Sequence, residues 1–358
     1  MLRTYQAKDW FFHHVGFNET IDNVYKYLKL KDNDYFKEIE SKINGKKYGC
    51  GHFSIRDIKS FNSKPRGKGR FNIIRGNGTK SRKIELVDVM KMQNLRDFNG
   101  STFQCASNFN CLELASHLES PSSGISRYST DFTQGPTLSA SSFGALLYRN
   151  YFVEDEGHRG QLSHDINLLS RTPLKVVKGK VFLNTKEEIS KLDKFDFRDE
   201  NNYKIGVHEN VQITTDRVKG HEYKDSDDKQ FVNQIFCSSY SFGDYCDINN
   251  KNVILSLENL LKTEYKLSIL SGIENSIKYK MLKGSDKLVL TCLGIGYFNN
   301  PPELICRAIN ENRELIYESC LDIYLVCFSD DDKRGFKSIY PHLHELVSET
   351  KGEIISAF

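Results

Sequence analysis

Leu288-Val-Leu-Thr-Cys-Leu-Gly-Ile-Gly-Tyr-Phe-Asn-Asn-Pro-Pro302 is the stretch on which the fold turns. Its apolar start, Leu288 to Leu293, reads as a buried strand that breaks at Gly294-Ile-Gly296, and Pro302 is placed to open a helix. A strand that ends in Gly-x-Gly lets the backbone approach a phosphate closely, and the N–H groups at the next helix start stay free to bind an anion. The stretch is not a Walker loop, which needs Gly-Lys-Ser/Thr, nor the dinucleotide fingerprint, because Asn299-Asn300 replace its third glycine. By itself it reads equally well as a tight strand-to-helix connection.

Outward from this turn, strands fit Thr102 to Ser107, Leu174 to Phe182, Tyr203 to His208 and Leu321 to Phe328. Helical periodicity fits Pro136 to Tyr151, Leu257 to Met281, Pro302 to Ile316 and Ser338 to Ser348. The alternation is that of an α/β protein with helices on a largely buried sheet, and such sheets bind ligands beyond the carboxyl ends of their strands. Two strand ends, Ser107 and Leu293, run into polar or glycine-rich loops, which places the expected pocket between them.

Residues 1–95 read as an N-terminal α+β extension packed on a core domain of 96–358, with helical patches at Glu19 to Leu30 and Asp34 to Ile43. Lys59 to Lys83 carries nine positive charges and no acid, and reads as a solvated hairpin turning at Asn77-Gly78, because no interleaved aromatics accompany the charges. A polar segment from about 193 to 250 reads as a large exposed insertion; Lys224-Asp-Ser-Asp-Asp-Lys229 lacks the glycine and terminal glutamate of a calcium loop.

The 358 residues suffice for one large or two smaller domains, and 50 basic against 47 acidic residues is too even to make nucleic acid or a membrane the main partner. No apolar run reaches the roughly 18–20 residues of a membrane span, and the first ten residues lack the apolar core of a signal peptide. A cytoplasmic protein is the expectation, although one delivered into a host cytosol would read the same. The nine cysteines are odd in number and have no C-x-x-C spacing, so they read as buried thiols and not as zinc ligands or disulfides.

Three stretches hold the candidate chemistry. Ser101 to Leu114 is a buried strand stopping at Asn108 and Asn110, whose amides suit a tight loop or a ligand. Arg127 to Pro136 leads into a helix of small residues that can approach another backbone or a ligand closely; Thr133 and Gln134 stand at its start, and Asp131 suits a cap, a general base or a carboxylate that orients a ribose hydroxyl. Tyr203 to Ile213 offers His208 and Glu209, and the aromatic loop from Gln234 to Asp247 offers Asp244 and Asp247; each of these taken singly is more often structural or solvated.

Ala106-Ser-Asn-Phe-Asn-Cys-Leu112 resembles the macrodomain element ending in Ala-Ala-Asn-x-x-Leu, and Leu288 to Asn299 resembles the macrodomain phosphate-binding loop. With Asp131-Phe-Thr-Gln-Gly-Pro136 and Tyr148-Arg-Asn-Tyr-Phe152, the set is similar to a divergent macrodomain-like group that includes MavL-type ADP-ribosylhydrolases, over nearly the whole chain. The resemblance implies a macrodomain-like mixed sheet flanked by helices and an ADP-ribosyl glycohydrolase that needs no cofactor or metal. Its ligand would be ADP-ribose on a modified protein side chain, with arginine among the candidate linkages. It further implies Asn108 or Asn110 at the distal ribose, with Thr133 and Gln134 near the ligand. Gly294, Ile295, Gly296, Tyr297, Phe298 and Asn299 would lie around the diphosphate. The catalytic candidates are Asp131, then Glu209 and Asp244, with Asp247 and Glu113 behind them. The sequence departs from ordinary macrodomains where Cys111-Leu-Glu-Leu114 replaces the glycine run of the first loop, and where a large insertion separates the two loops.

Overall fold

The computed structural model describes residues 4–32, 37–64, 67–243 and 245–358. The central sheet is built, in chain order, from β1 (Thr4–Gln6), β2 (His52–Arg56), β3 (Arg70–Arg75), β4 (Thr102–Ala106), β5 (Ile205–Lys219), β6 (Glu222–Cys237), β7 (Lys287–Thr291), β8 (Asp322–Cys327) and β9 (Ile354–Ser356). Their spatial order is β9-β3-β8-β7-β4-β6-β5-β2, with β1 paired to the far end of β6. The six strands from β9 to β6 are mutually parallel, whereas β5 runs against both β6 and β2. This is a mixed α/β sheet, and the parallel strands deliver their carboxyl ends to one edge.

Side-chain alternation along β4 assigns the helices to opposite faces. Cys105 faces Ser139 of α1 (Gln134–Ala140), which with α2 (Phe143–Leu147) covers one side. Gln104 faces the other side, where its Nε2 donates to Ser268 Oγ at 3.0 Å on α3 (Lys251–Lys278). Helix α3 starts under an Asn250 cap and buries Val253, Leu257, Leu260, Leu261 and Ser268 at helical spacing. Helices α4 (Pro302–Asn310) and α5 (Phe336–Glu349) extend the layer that α3 begins. Among the described residues no helix is long and apolar enough to cross a membrane.

Several expectations need correction. The segment 1–95 supplies β1, β2 and β3, and β3 lies inside the sheet between β8 and β9, so residue 95 does not part an extension from a core. The basic stretch is therefore not a solvated hairpin: Phe71, Ile73 and Ile74 are buried, Arg70 forks onto Asp322 at 2.7 and 2.8 Å, and Arg75 forks onto Asp330 at the same distances. Pro65 and Arg66 of that stretch lie outside the described residues. The segment from 193 to 250 holds the two longest strands, β5 and β6, because its charges alternate with buried Val211, Ile213, Tyr223 and Val232. Leu174 to Phe182 forms a separate hairpin, Lys175–Val177 with Lys180–Phe182. Of the two N-terminal helical patches, the first gives the helix Ile21–Tyr27 followed by the strand Leu28–Asp32. The second gives the strand Lys37–Ser41, with Asp34 outside the described residues. The helix expected over Pro136 to Tyr151 breaks after Ala140, where Ser141 O accepts the N–H groups of Thr214 (2.8 Å) and Thr215 (3.1 Å) from β5.

Candidate functional site

Strands β4 and β7 are paired only at Leu288 with Thr102 and Val289 with Phe103. Beyond that point they part, and the amide of Gln134 takes over the pairing: Ala106 N donates to its Oε1 and its Nε2 donates to Gln104 O, both at 2.8 Å. A side-chain amide thus stands in for a strand backbone, and a crevice opens between the loops that follow β4 and β7. Gly135 makes this fit possible, since a Cβ there would lie 2.0 Å from Ala106 O. The small-residue helix approaches a backbone, as its composition allows, and Gln134 is a sheet partner whose amide is already engaged.

The loop after β7 is bare toward solvent on one side. Gly294, at φ +79°, sits where a Cβ would meet Asn300 Cγ at 2.7 Å and Ser239 Cβ at 2.8 Å, while a Cβ on Gly296 would meet nothing within 4 Å. Asn300 ties the loop to the one after β6 by donating to Tyr240 O at 2.7 Å, and Arg334 donates to Gly296 O at 3.1 Å and to Asn299 Oδ1. Among the described residues the N–H groups of Gly296, Tyr297 and Phe298 have no hydrogen-bond partner. Three consecutive N–H groups of a glycine turn are thus left open to a partner from outside the chain. Ile295 packs on the core, Tyr297 is 68% exposed and Phe298 is half-buried.

The loop after β4 is closed. Asn108 Nδ2 donates to Leu114 O at 3.0 Å and its Oδ1 accepts from Lys180 Nζ at 2.9 Å. Asn110 is buried beneath Gly179 of the 175–182 hairpin, and Phe109 donates its N–H to Gly179 O at 2.8 Å. The two asparagines therefore face inward. The hairpin brings Lys180, 3% exposed, between the loops: its ammonium donates to Asn108 Oδ1 and Leu114 O at 2.9 Å each and lies 5.4 Å from the Phe298 ring. Burial, reinforced by the Arg127 charge, lowers its pKa to about 8.

Arg127 connects this lysine's surroundings to Asp131. It donates to Glu113 O, pairs with Glu119 at 3.1 Å and stands 3.9 Å from Asp131. Asp131 Oδ1 accepts from Thr133 N at 3.0 Å and from Thr133 Oγ1 at 2.6 Å, so Thr133 serves the helix start. Glu209 is not at this edge. It pairs with Lys278 at 3.0 Å beside Asn210, whose N–H reaches Asn233 at the level of Thr102, the opposite end of β4. His208 is buried against Arg149 (3.3 Å), and burial holds its pKa far below the ordinary imidazole value. Asp244 lies outside the described residues. Asp247 accepts from Asn249 N at 2.9 Å in a turn.

Two buried carboxyls complete the edge. Glu113, after β4, stands 4.0 Å from Arg149 and 3.4 Å from Cys105 Sγ; burial raises its pKa. Glu264, on α3, accepts Ser238 N at 3.1 Å at the end of β6, and burial raises its pKa well above the usual carboxylate range. Its Oε2, together with Ser238 Oγ, Ser241 Oγ and Asn110 Nδ2, is buried without a partner. Such a concentration of unpartnered polar atoms marks a place meant for water or a ligand. A carboxylate on the buried stripe of α3, one turn from Leu260, Leu261 and Ser268, was the sequence signal for Glu264. Lys180 had none, since Lys175 and Lys178 beside it are surface residues of the same type.

A groove of about 530 Å³ lies farther along the same edge, at the ends of β3 and β8. Asn77, Gly78, Phe328, Asp330 and Asp331 line it, and Phe328 is 51% exposed. Strands β8 and β3 lie two and three strand spacings from β4, about 10 and 14 Å, with the glycine loop and Arg334 between. Among the described residues no group of three His, Cys, Asp or Glu side chains is placed to hold a metal ion.

No protein-family model and no curated protein matches the sequence. Among solved structures, poly(ADP-ribose) glycohydrolase from Deinococcus radiodurans in complex with ADP-ribose aligns at 12% identity over 79% of this chain and 87% of that one, with a TM-score of 0.41. The apo form aligns at 15% identity over 79% and 86%, with a TM-score of 0.38. The glycohydrolase from Thermomonospora curvata aligns at 9% identity over 83% and 85%, with a TM-score of 0.36. Likenesses this loose assign neither ligand nor site residues.

Proposed function

We propose that the carboxyl edge of the sheet binds ADP-ribose and hydrolyses its bond to a modified protein side chain. The observation that carries this reading is the parting of β4 and β7, which sets the two loops of macrodomain-like sequence on either side of one crevice. The free N–H groups of Gly296 to Phe298 hold the diphosphate, and the groove with the exposed face of Phe328 takes the base. The distal ribose then lies toward Arg127 and Asp131.

In hydrolysis, water attacks the anomeric carbon, the bond from that carbon to the side-chain heteroatom breaks, a carboxylate takes the water's proton, and that proton passes on to the departing heteroatom. Asp131 is the residue for that step, with Arg127 3.9 Å away, while the bound diphosphate fixes the ribose in place. Incubating the protein with an ADP-ribosylated protein is expected to release free ADP-ribose. Asp131→Asn should slow the release by roughly 10²–10⁴-fold and leave binding intact, whereas Glu209→Gln should release at the wild-type rate. One observation favours a second reading, a non-catalytic reader of ADP-ribosylation: Asp131 Oδ1 is held twice by Thr133, as in a helix cap. Binding by the wild type without any release would establish the reader and end the hydrolase.

A further inference from the structure

Lys180 is a residue of this edge that the macrodomain-like motifs do not account for. An ammonium has three N–H donors, and here two are taken by neutral oxygens, Asn108 Oδ1 and Leu114 O. Among the described residues no carboxylate forms an ion pair with it. The charged groups that act on it are Arg127, from the turn before α1, and Glu119, already paired to Arg127 at 3.1 Å. An almost fully buried ammonium without a counter-charge is costly, and an anion placed beside it would offset that cost. The ammonium also lies over the Phe298 ring, 5.4 Å from its centroid, on the loop whose N–H groups are free.

We propose that Lys180, carried into the crevice by the 175–182 hairpin, is the counter-charge for the ligand's diphosphate, closing over the side of the phosphates that the glycine loop leaves open. This rests on the ADP-ribose reading above and adds a binding residue to it. The ammonium is charged below pH 8 and loses its proton above it, so an anion gains from it at neutral pH and not in alkali. The diphosphate keeps its charge throughout that range.

Calorimetric titration of the full chain with ADP-ribose at pH 7 and pH 9 tests this. The wild type should bind about tenfold more weakly at pH 9, as the charged fraction of a group with a pKa near 8 falls to about a tenth. Lys180→Arg, which keeps its charge, should bind at both pH values with the same affinity. Lys180→Met should bind at least about tenfold more weakly than wild type at pH 7 and show no further loss at pH 9. Equal affinities of wild type and a folded Lys180→Met at pH 7 overturn the role of Lys180 and leave the ADP-ribose reading standing. A Lys180→Arg variant that keeps the wild-type pH dependence overturns it as well. Failure of the wild type to bind ADP-ribose at either pH overturns the ADP-ribose reading and this inference with it.

Discussion

The loops after β4 and β7 begin alike, each at the end of a buried parallel strand in the middle of the sheet, yet they end as opposites. The first turns its polar side chains inward, onto Leu114, Lys180 and the overlying Gly179. The second turns its side chains aside and leaves backbone exposed, with no atom within 4 Å of where a Gly296 Cβ would stand. One loop is thus a wall stiffened by asparagine amides, and the other a cradle made of peptide groups. The difference shows that a ligand-type residue in a strand-end loop need not be a ligand contact: the amide of Asn108 shapes the wall, and the cation it supports lies over the Phe298 ring of the cradle loop.

Breaking the cradle should have the largest effect. Gly294 occupies the left-handed region and has Asn300 and Ser239 within 2.8 Å of a would-be Cβ. Gly294→Val therefore combines backbone strain with overpacking, and should cost roughly 3 kcal/mol in denaturant unfolding. Because Asn300 is the stitch to Tyr240 O, the same change should abolish ADP-ribose binding in titration. An unchanged unfolding midpoint would show that the turn is not built as described.

Breaking the wall should cost less, and should be felt in stability. Asn108→Ala removes an acceptor of Lys180 and the donor to Leu114 O, all buried, and is expected to destabilise by about 2 kcal/mol. Affinity for ADP-ribose should fall only as far as Lys180 is displaced. Loss of affinity at full stability would instead make Asn108 a direct contact, and would remove the contrast between the loops.

The sheet was readable where a strand is a nearly continuous apolar run, as with Leu288 to Leu293, buried on both faces, and Leu321 to Phe328, whose alternate residues are only half-buried. It was unreadable where one face is polar. The charges of β5 and β6 read as a loop, although Val211, Ile213 and Val232 are buried at alternate positions. The phosphate-type turn could be seen because glycine is required by the backbone itself. Asn108 and Asn110 were found for their residue type, but that both are buried, with both amide atoms of Asn108 engaged, was not, since nothing local announces that the 175–182 hairpin will cover them. Glu209 sits near a long strand's start in sequence, yet β5 runs antiparallel, which carries it away from the edge where its neighbours' loops gather.

The finest test lies within the cradle, between its two glycines. Gly296 has no left-handed requirement and faces open space, so Gly296→Ala should leave the unfolding midpoint within about 0.5 kcal/mol of wild type. The added methyl projects where a phosphate must approach the free N–H groups of Gly296 to Phe298, so ADP-ribose affinity should fall several-fold, about 1 kcal/mol. A methyl that changes affinity without changing stability is the signature of a ligand-facing backbone. If affinity is untouched, the anion does not enter from this side of the turn, and the cradle is only a connection between β7 and α4.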